Sequence, residues 1–139
     1  MNIKDCMSAR VNRLEQNTPI AEAAKLMERD GVGALLVSDD DRLVGVVTDR
    51  DLAIRAIAYE FNATDPISTV MSKKVLYCFE DDPIEDVAKN MAENQVHRLA
   101  VLNKDKRLVG IVSLGDLSTK ADKDIAGETL YAICQPTRH

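Results

Sequence analysis

Aromatic side chains are scarce in this sequence: two Phe, three Tyr and no Trp among 139 residues. Any core must therefore be aliphatic. Histidine is nearly absent as well, since only His97 and His139 occur, which argues against a His-rich metal centre. The three cysteines, Cys6, Cys78 and Cys134, are odd in number and scattered, with no CxxC. They read as reduced thiols that serve as small hydrophobes, not as a disulfide framework. No apolar run approaches the roughly 18–20 residues of a membrane span, and the N-terminus lacks the apolar stretch of a signal peptide. A cytoplasmic protein without a membrane partner is expected. Basic excess is missing too. Residues 1–64 carry 8 basic and 11 acidic side chains and residues 65–139 carry 10 and 12, which speaks against nucleic-acid binding by phosphate neutralisation. A dinucleotide fingerprint is also excluded, because Leu36 stands where the third glycine after Gly31 and Gly33 would be needed.

What the chain does have is a repeat. Met7–Val37 aligns with Met71–Val101 at an offset of 64, and Arg42–Leu52 with Arg107–Leu117 at 65, giving 18 identities in 42 columns. Each copy predicts the order β-α-β-β-α. Short strands at Val11–Glu15 and Val75–Phe79 come first. Thr18-Pro19 and Asp82-Pro83 then read as a capping side chain followed by proline at the first helical position. Ile20, Ala23, Ala24 and Met27, matched by Ile84, Val87, Ala88 and Met91, have helical spacing. Asp30-Gly31 and Asn94-Gln95 end these helices. Two strands follow in each copy, Ala34–Ser38 with Leu43–Thr48 and Leu99–Leu102 with Leu108–Ser113, joined by polar turns. Second helices are expected at Asp49–Ala58 and from Leu114 to about Ala121. The fold class is thus α/β (α+β), with two tandem β-α-β-β-α repeats packed as one quasi-two-fold module. The boundaries are 1–61 with the N-terminal segment, 62–121 with a linker helix, and a tail at 122–139. In that tail, Ala126–Cys134 predicts an amphipathic helix with Leu130, Ile133 and Cys134 on one face.

The candidate site is the step from strand to helix, Thr48-Asp49-Arg50-Asp51 and Ser113-Leu114-Gly115-Asp116. A hydroxyl followed three residues later by an acid approximates a capping box, which would only start a helix. It also offers donors to a phosphate and a carboxylate to a ribose diol. Recurrence does not separate these readings. His97-Arg98 opens the strand expected beside the one ending at Ser113, so this basic pair can approach that turn. The alternative is that Arg98 lies along the surface and His97 packs at a strand edge.

The doubled unit, with Gly-h-Val-[Ser/Thr]-x-x-Asp at Gly45–Asp51 and Gly110–Asp116 and Met-Ser heads at Met7-Ser8 and Met71-Ser72, resembles a pair of cystathionine-β-synthase (CBS) domains, a Bateman module. It is similar to small stand-alone bacterial CBS-pair proteins. The resemblance implies an adenosine ligand (AMP, ADP, ATP or S-adenosylmethionine) held in clefts between the repeats. Asp51 and Asp116 would hold ribose hydroxyls. Thr48 and Ser113 would lie near phosphate, with Arg50, His97 and Arg98 neutralising its charge. Val46 and Ile111 would flank the adenine. It implies a homodimer and a regulated protein acted on in trans, with no catalytic residues and no required cofactor. The first copy carries Gly33-Ala34 in place of His97-Arg98, so two unequal sites are expected. A ligand-free dimerisation or interaction module is the competing reading.

Overall fold

A computed structural model describes residues 1–136. The chain forms two units, Asn12–Val75 and Met1–Val11 joined with the chain from Leu76 onward. The N-terminal segment thus packs with the second repeat, not with the first, where the sequence reading had placed it. Backbone hydrogen bonds account for this. Ile3 N donates to Asp82 O and Lys4 N to Glu80 O, both at 3.0 Å, and Ser8 exchanges two 2.9 Å bonds with Ile111. The residues 64 positions later do the same for the first repeat, where Ile67 N donates to Thr18 O (2.7 Å) and Ser68 N to Gln16 O (3.1 Å).

In the Asn12–Val75 unit, β1 (Arg13–Glu15) runs parallel to β2 (Ala34–Asp39) after the crossover helix α1 (Ile20–Asp30). β2 pairs antiparallel with β3 (Arg42–Thr48). A three-residue α2 (Asp49–Asp51) then passes into a π-helical turn, Leu52–Ala56, within the single helix expected there. The other unit repeats the scheme with β4 (Tyr77–Phe79), α3 (Ile84–Asn94), β5 (Arg98–Leu102), β6 (Leu108–Ser113) and α4 (Leu114–Lys120). Its sheet order, β4-β5-β6, matches β1-β2-β3. α5 (Lys123–Ile133) packs on α3 and α4 of its own unit.

Each unit has its own aliphatic core. Ile20, Ala23, Met27, Leu35, Val37, Val47, Ile67 and Val70 fill one, and Ile84, Val87, Met91, Leu99, Val101, Val112 and Leu117 lie in the other, together with Ile3, Cys6 and Cys78. Fully burying such a side chain contributes roughly 1.5–3 kcal/mol.

Two local expectations are corrected, the N-caps of the crossover helices and the buried face of α5, while both crossover helices end where expected. Pro19 and Pro83 are themselves the N-caps of α1 and α3, and no side chain caps either helix. The free donors of α1 go instead to the linker backbone, with Ile20 N donating to Asp65 O (2.9 Å) and Ala21 N to Ala63 O (3.0 Å). Asp82 closes the preceding turn by accepting from Phe79 N at 2.9 Å. The two helix ends differ from each other. Gly31 terminates α1 at φ 65, whereas Gln95 takes the same left-handed conformation at φ 53. The Gln95 amide compensates by donating to Ala132 O (3.3 Å) and Gln135 O (2.8 Å), fastening the end of α5. Finally, the buried face of α5 is Ala126, Thr129 and Ile133. Leu130 and Cys134 are exposed, so the expected Leu130–Ile133–Cys134 face is displaced by one position around the helix.

The two Met-Ser heads and the two motif glycines explain each other. A Cβ on Gly45 would sit 2.6 Å from Met71 Sδ and 2.9 Å from Ser72 O, and one on Gly110 2.7 Å from Met7 Sδ and 2.8 Å from Ser8 O. The head segment crosses directly over the strand, and only glycine leaves room for it.

Candidate functional site

The hydroxyl–x–x–Asp steps fold as reciprocal capping boxes. Asp51 N donates to Thr48 Oγ1 at 3.1 Å, and Thr48 N donates to Asp51 Oδ2 at 2.9 Å. The second copy matches, with Asp116 N donating to Ser113 Oγ at 3.0 Å and Ser113 N to Asp116 Oδ2 at 2.9 Å. Thr48 and Ser113 have nearly identical extended backbones, φ −115 and ψ 163 against φ −117 and ψ 163. Each box satisfies two of the donors that a helix start leaves unpaired. One carboxylate oxygen of each Asp remains outside the box.

Those second oxygens have partners that the sequence reading missed. Asp116 Oδ1 lies 3.5 Å from Lys120 Nζ, and Asp51 Oδ1 lies 3.8 Å from Arg55 Nε. Both are i,i+4 pairs, a spacing legible in the sequence. With the cations about half exposed, each pair contributes only a few tenths of a kcal/mol. Both aspartate side chains are about one-fifth exposed. Arg55 is further tied down, donating from Nη1 to Val70 O (3.2 Å) and Met71 O (3.4 Å).

Strand register brings the basic pair to the second turn. Arg98 is directly opposite Ser113, and Ala100 is opposite Ile111. Residues paired across a ladder share a sheet face, as do residues two apart on one strand. Arg98, Ser113 and half-exposed Ile111 therefore share one face. His97 O accepts from Leu114 N at 2.9 Å, so its backbone helps to start α4. The His97 and Arg98 side chains are exposed, and among the described residues neither makes a hydrogen bond or an ion pair. Beneath the turn lies the Cys6 thiol, whose pKa is pushed up by burial first and by the nearby Asp116 carboxylate second.

The first turn has the same backbone and different charge. Ala34 is opposite Thr48 and Leu36 opposite Val46, so no cation occupies the position of Arg98. Gly33 O accepts from Asp49 N at 2.9 Å, in the role of His97 O. The Asp49 carboxylate lies against Gly33, 3.2 Å from where a Cβ would stand, and accepts from Arg50 N at 2.8 Å. Arg50 is exposed on the first helical turn. The sequence-predicted residues thus gather at two turns, Val46, Thr48, Arg50 and Asp51 at one and His97, Arg98, Ile111, Ser113 and Asp116 at the other. Only the second combines hydroxyl, carboxylate and a pair of uncommitted basic side chains. Among the described residues no cluster of His, Cys, Asp and Glu could hold a metal ion, and no helix is long and apolar enough to cross a membrane.

This doubled arrangement coincides with a known domain model. The CBS domain matches residues 3–57 and again 67–122. The chain belongs to the CBS domain family. As a CBS pair it is 36% identical over 139 residues to the CBS domain-containing protein YhcV of Bacillus subtilis, covering 99% of each chain. It is also 30% identical over 135 residues to Hypoxic response protein 1 of Mycobacterium tuberculosis, covering 96% of this CBS pair and 94% of that protein. Among solved structures, the CBS domain pair of protein MJ0100 in complex with 5-methylthioadenosine and S-adenosyl-L-methionine superposes with a TM-score of 0.70 at 29% identity, over 85% of this chain and 97% of that one. CBSX2 in complex with AMP gives a TM-score of 0.74 at 25% identity, over 88% and 97%.

Proposed function

We propose that this CBS pair is a regulatory sensor that binds an adenosine ligand, namely AMP, ADP, ATP or S-adenosylmethionine, and acts in trans on a partner protein. It works in the cytoplasm as a homodimer, requires no cofactor, and carries out no catalysis of its own. Asp116 holds ribose hydroxyls through the carboxylate oxygen outside its capping box. Ser113, His97 and Arg98 receive phosphate, and Ile111 flanks the adenine. Thr48, Arg50, Asp51 and Val46 form the weaker counterpart in the first repeat. The observation that carries this reading is the Arg98–Ser113 register, which sets an uncommitted guanidinium on the same face as the turn's hydroxyl. Related CBS pairs with AMP or S-adenosylmethionine bound support the ligand class. Such a ligand regulates only through unequal affinity for two arrangements of the protein.

A second reading is favoured by one specific observation. The capping boxes already account for both hydroxyls and for one oxygen of each aspartate, as in a ligand-free interaction module. Calorimetry on a pair of variants separates the two. Asp116→Ala and Asp51→Ala each remove a box and lower stability by about 1 kcal/mol. Charge-assisted bonds contribute roughly 1.5–3 kcal/mol, so Asp116→Ala should also weaken AMP binding tenfold or more, while Asp51→Ala leaves it nearly intact. AMP affinity unchanged in Asp116→Ala removes that carboxylate from the site. No thermal shift with any of the four ligands establishes the ligand-free reading.

A further inference from the structure

The carboxylate oxygens outside the two capping boxes are restrained by different side chains. Arg55 and Lys120 correspond by the offset of 65, four residues after Asp51 and Asp116. Arg55 lies in the π-helical turn and Lys120 at the end of α4, yet both keep the i,i+4 pairing. Arg55 holds more than the carboxylate. Its Nε lies 3.8 Å from Asp51 Oδ1, while Nη1 donates to Val70 O at 3.2 Å and Met71 O at 3.4 Å. A guanidinium carries several donors in one rigid plane, so it can face carboxylate and carbonyls together. Arg55 therefore cannot swing away from Asp51 without giving up both carbonyls.

Equivalent carbonyls exist in the second repeat. Cys6 and Met7 correspond to Val70 and Met71 by the offset of 64. Cys6, at φ −127 and ψ −9, matches Val70 at φ −119 and ψ −8, and Met7 N and Met71 N make the same bond, to Ile3 O and Ile67 O. Lys120 takes neither carbonyl, and among the described residues its one polar partner is Asp116, 3.5 Å away. Its charge does reach this segment: burial and then Asp116 raise the Cys6 thiol pKa, and Lys120 opposes them. The difference is chemical. An ammonium on a flexible stem is a point charge, free to follow the carboxylate or to leave it.

We infer that the residue four places after each aspartate gates its outer oxygen towards ribose, Arg55 withholding Asp51 and Lys120 releasing Asp116. The inference rests on the ribose role proposed above for these carboxylates and adds what controls their availability. Arg55 and Lys120 are positioning residues here and need not touch the ligand. Their charges are equal, so the inequality arises from what else each side chain holds. A ribose at the first turn must displace a side chain fastened at three points, and at the second turn one fastened at a single point.

Amide NMR titration of the full chain with adenosine tests this, because a ligand without phosphate reads the ribose contact apart from the phosphate-facing cations. Shifts at the Asp51 and Asp116 amides separate the two turns, and circular dichroism melts confirm that each variant is folded. Lys120→Arg should weaken adenosine at the second turn about tenfold, the order of one charge-assisted bond. Lys120→Met should leave it within about twofold of native, since an exposed ion pair contributes little. Arg55→Lys should strengthen adenosine at the first turn about tenfold. Opposite effects from two charge-conserving exchanges are not what a merely structural role produces. Native affinity in Lys120→Arg overturns the gate at the second turn, and an unchanged first turn in Arg55→Lys overturns it there. A loss in Lys120→Met as large as in Lys120→Arg also overturns it, by making Lys120 a ligand contact. A native chain whose amides move with neither adenosine nor AMP overturns the ribose role and the gate together, which no other outcome does.

Discussion

The Thr48–Asp51 and Ser113–Asp116 turns have the same backbone and different electrostatic character, balanced at the first and basic at the second. Their capping-box distances agree within about 0.1 Å. Around the second, His97, Arg98 and Lys120 face a single carboxylate. Around the first, Arg50 and Arg55 face two, and Arg55 is committed to backbone carbonyls. The box is thus a helix-starting device that both repeats share, whereas its charged neighbours have diverged, and the proposed ligand preference rests on those neighbours. The hydroxyl–x–x–Asp motif is common to both turns, and the residue opposite the hydroxyl on the preceding strand, Ala34 or Arg98, is where they differ.

The strongest way to break this comparison is to attack what the repeats share. Gly45→Ala and Gly110→Ala each push a Cβ to under 3 Å from a backbone carbonyl of the head segment, Ser72 O or Ser8 O. The methionine side chain could move, but the carbonyl is held by the paired bonds of Val46 with Ser72 and of Ile111 with Ser8. Overpacking of this kind costs about 1–3 kcal/mol, and the loss should be similar for the two variants in urea denaturation. A large loss in one with none in the other would show that the head segments are not equivalent.

Next comes an exchange of what the repeats do not share. Arg98→Ala should weaken AMP about tenfold and leave unphosphorylated adenosine nearly unaffected, because it removes a charge-assisted phosphate contact. Conversely, Ala34→Arg combined with Asp49→Leu gives the first turn the second turn's cation and deletes the carboxylate that would repel phosphate. A second AMP-binding event per chain should then appear in calorimetry. Equal losses of AMP and adenosine in Arg98→Ala would place that guanidinium away from phosphate.

The repeat, the element order and the position of the turns were legible because apolar periodicity and recurrence are local signals. The capping boxes were legible for the same reason, as was the approach of Arg98 to Ser113, which follows from hairpin pairing. What was not legible depended on contacts distant in sequence. Met7 and Gly110 stood out only as repeated residues, and their steric fit emerged when the head segment was seen crossing the strand. Proline at the N-cap, in place of the expected Thr18 and Asp82, follows from the Asp65 and Ala63 carbonyls taking over the helix donors of α1. The buried side of α5 was misjudged because Thr129 can bury its hydroxyl by donating to Ile125 O at 2.7 Å, which frees Leu130 to face solvent.

The smallest expected difference between the repeats lies in their cores. Cys6 and Cys78 occupy the positions of Val70 and Leu14 in the first repeat, by the offset of 64. Burial pushes the Cys78 thiol up to about 12, with Asp82 and then Cys6 adding to the effect. The protonated thiol is favoured in the folded state, so its contribution to stability is complete below the unfolded value of 9.0. It declines as pH rises from there towards about 12, because the unfolded chain ionises first. At pH 9.5 the loss should still be under about 1 kcal/mol, since only the unfolded state has begun to titrate. Urea denaturation at pH 7 and pH 9.5 should show a larger decrement in the native chain than in Cys78→Val, which keeps only the share of the buried Cys6 thiol. Equal decrements in both proteins would assign the alkaline sensitivity to other groups and leave the two cores electrostatically alike.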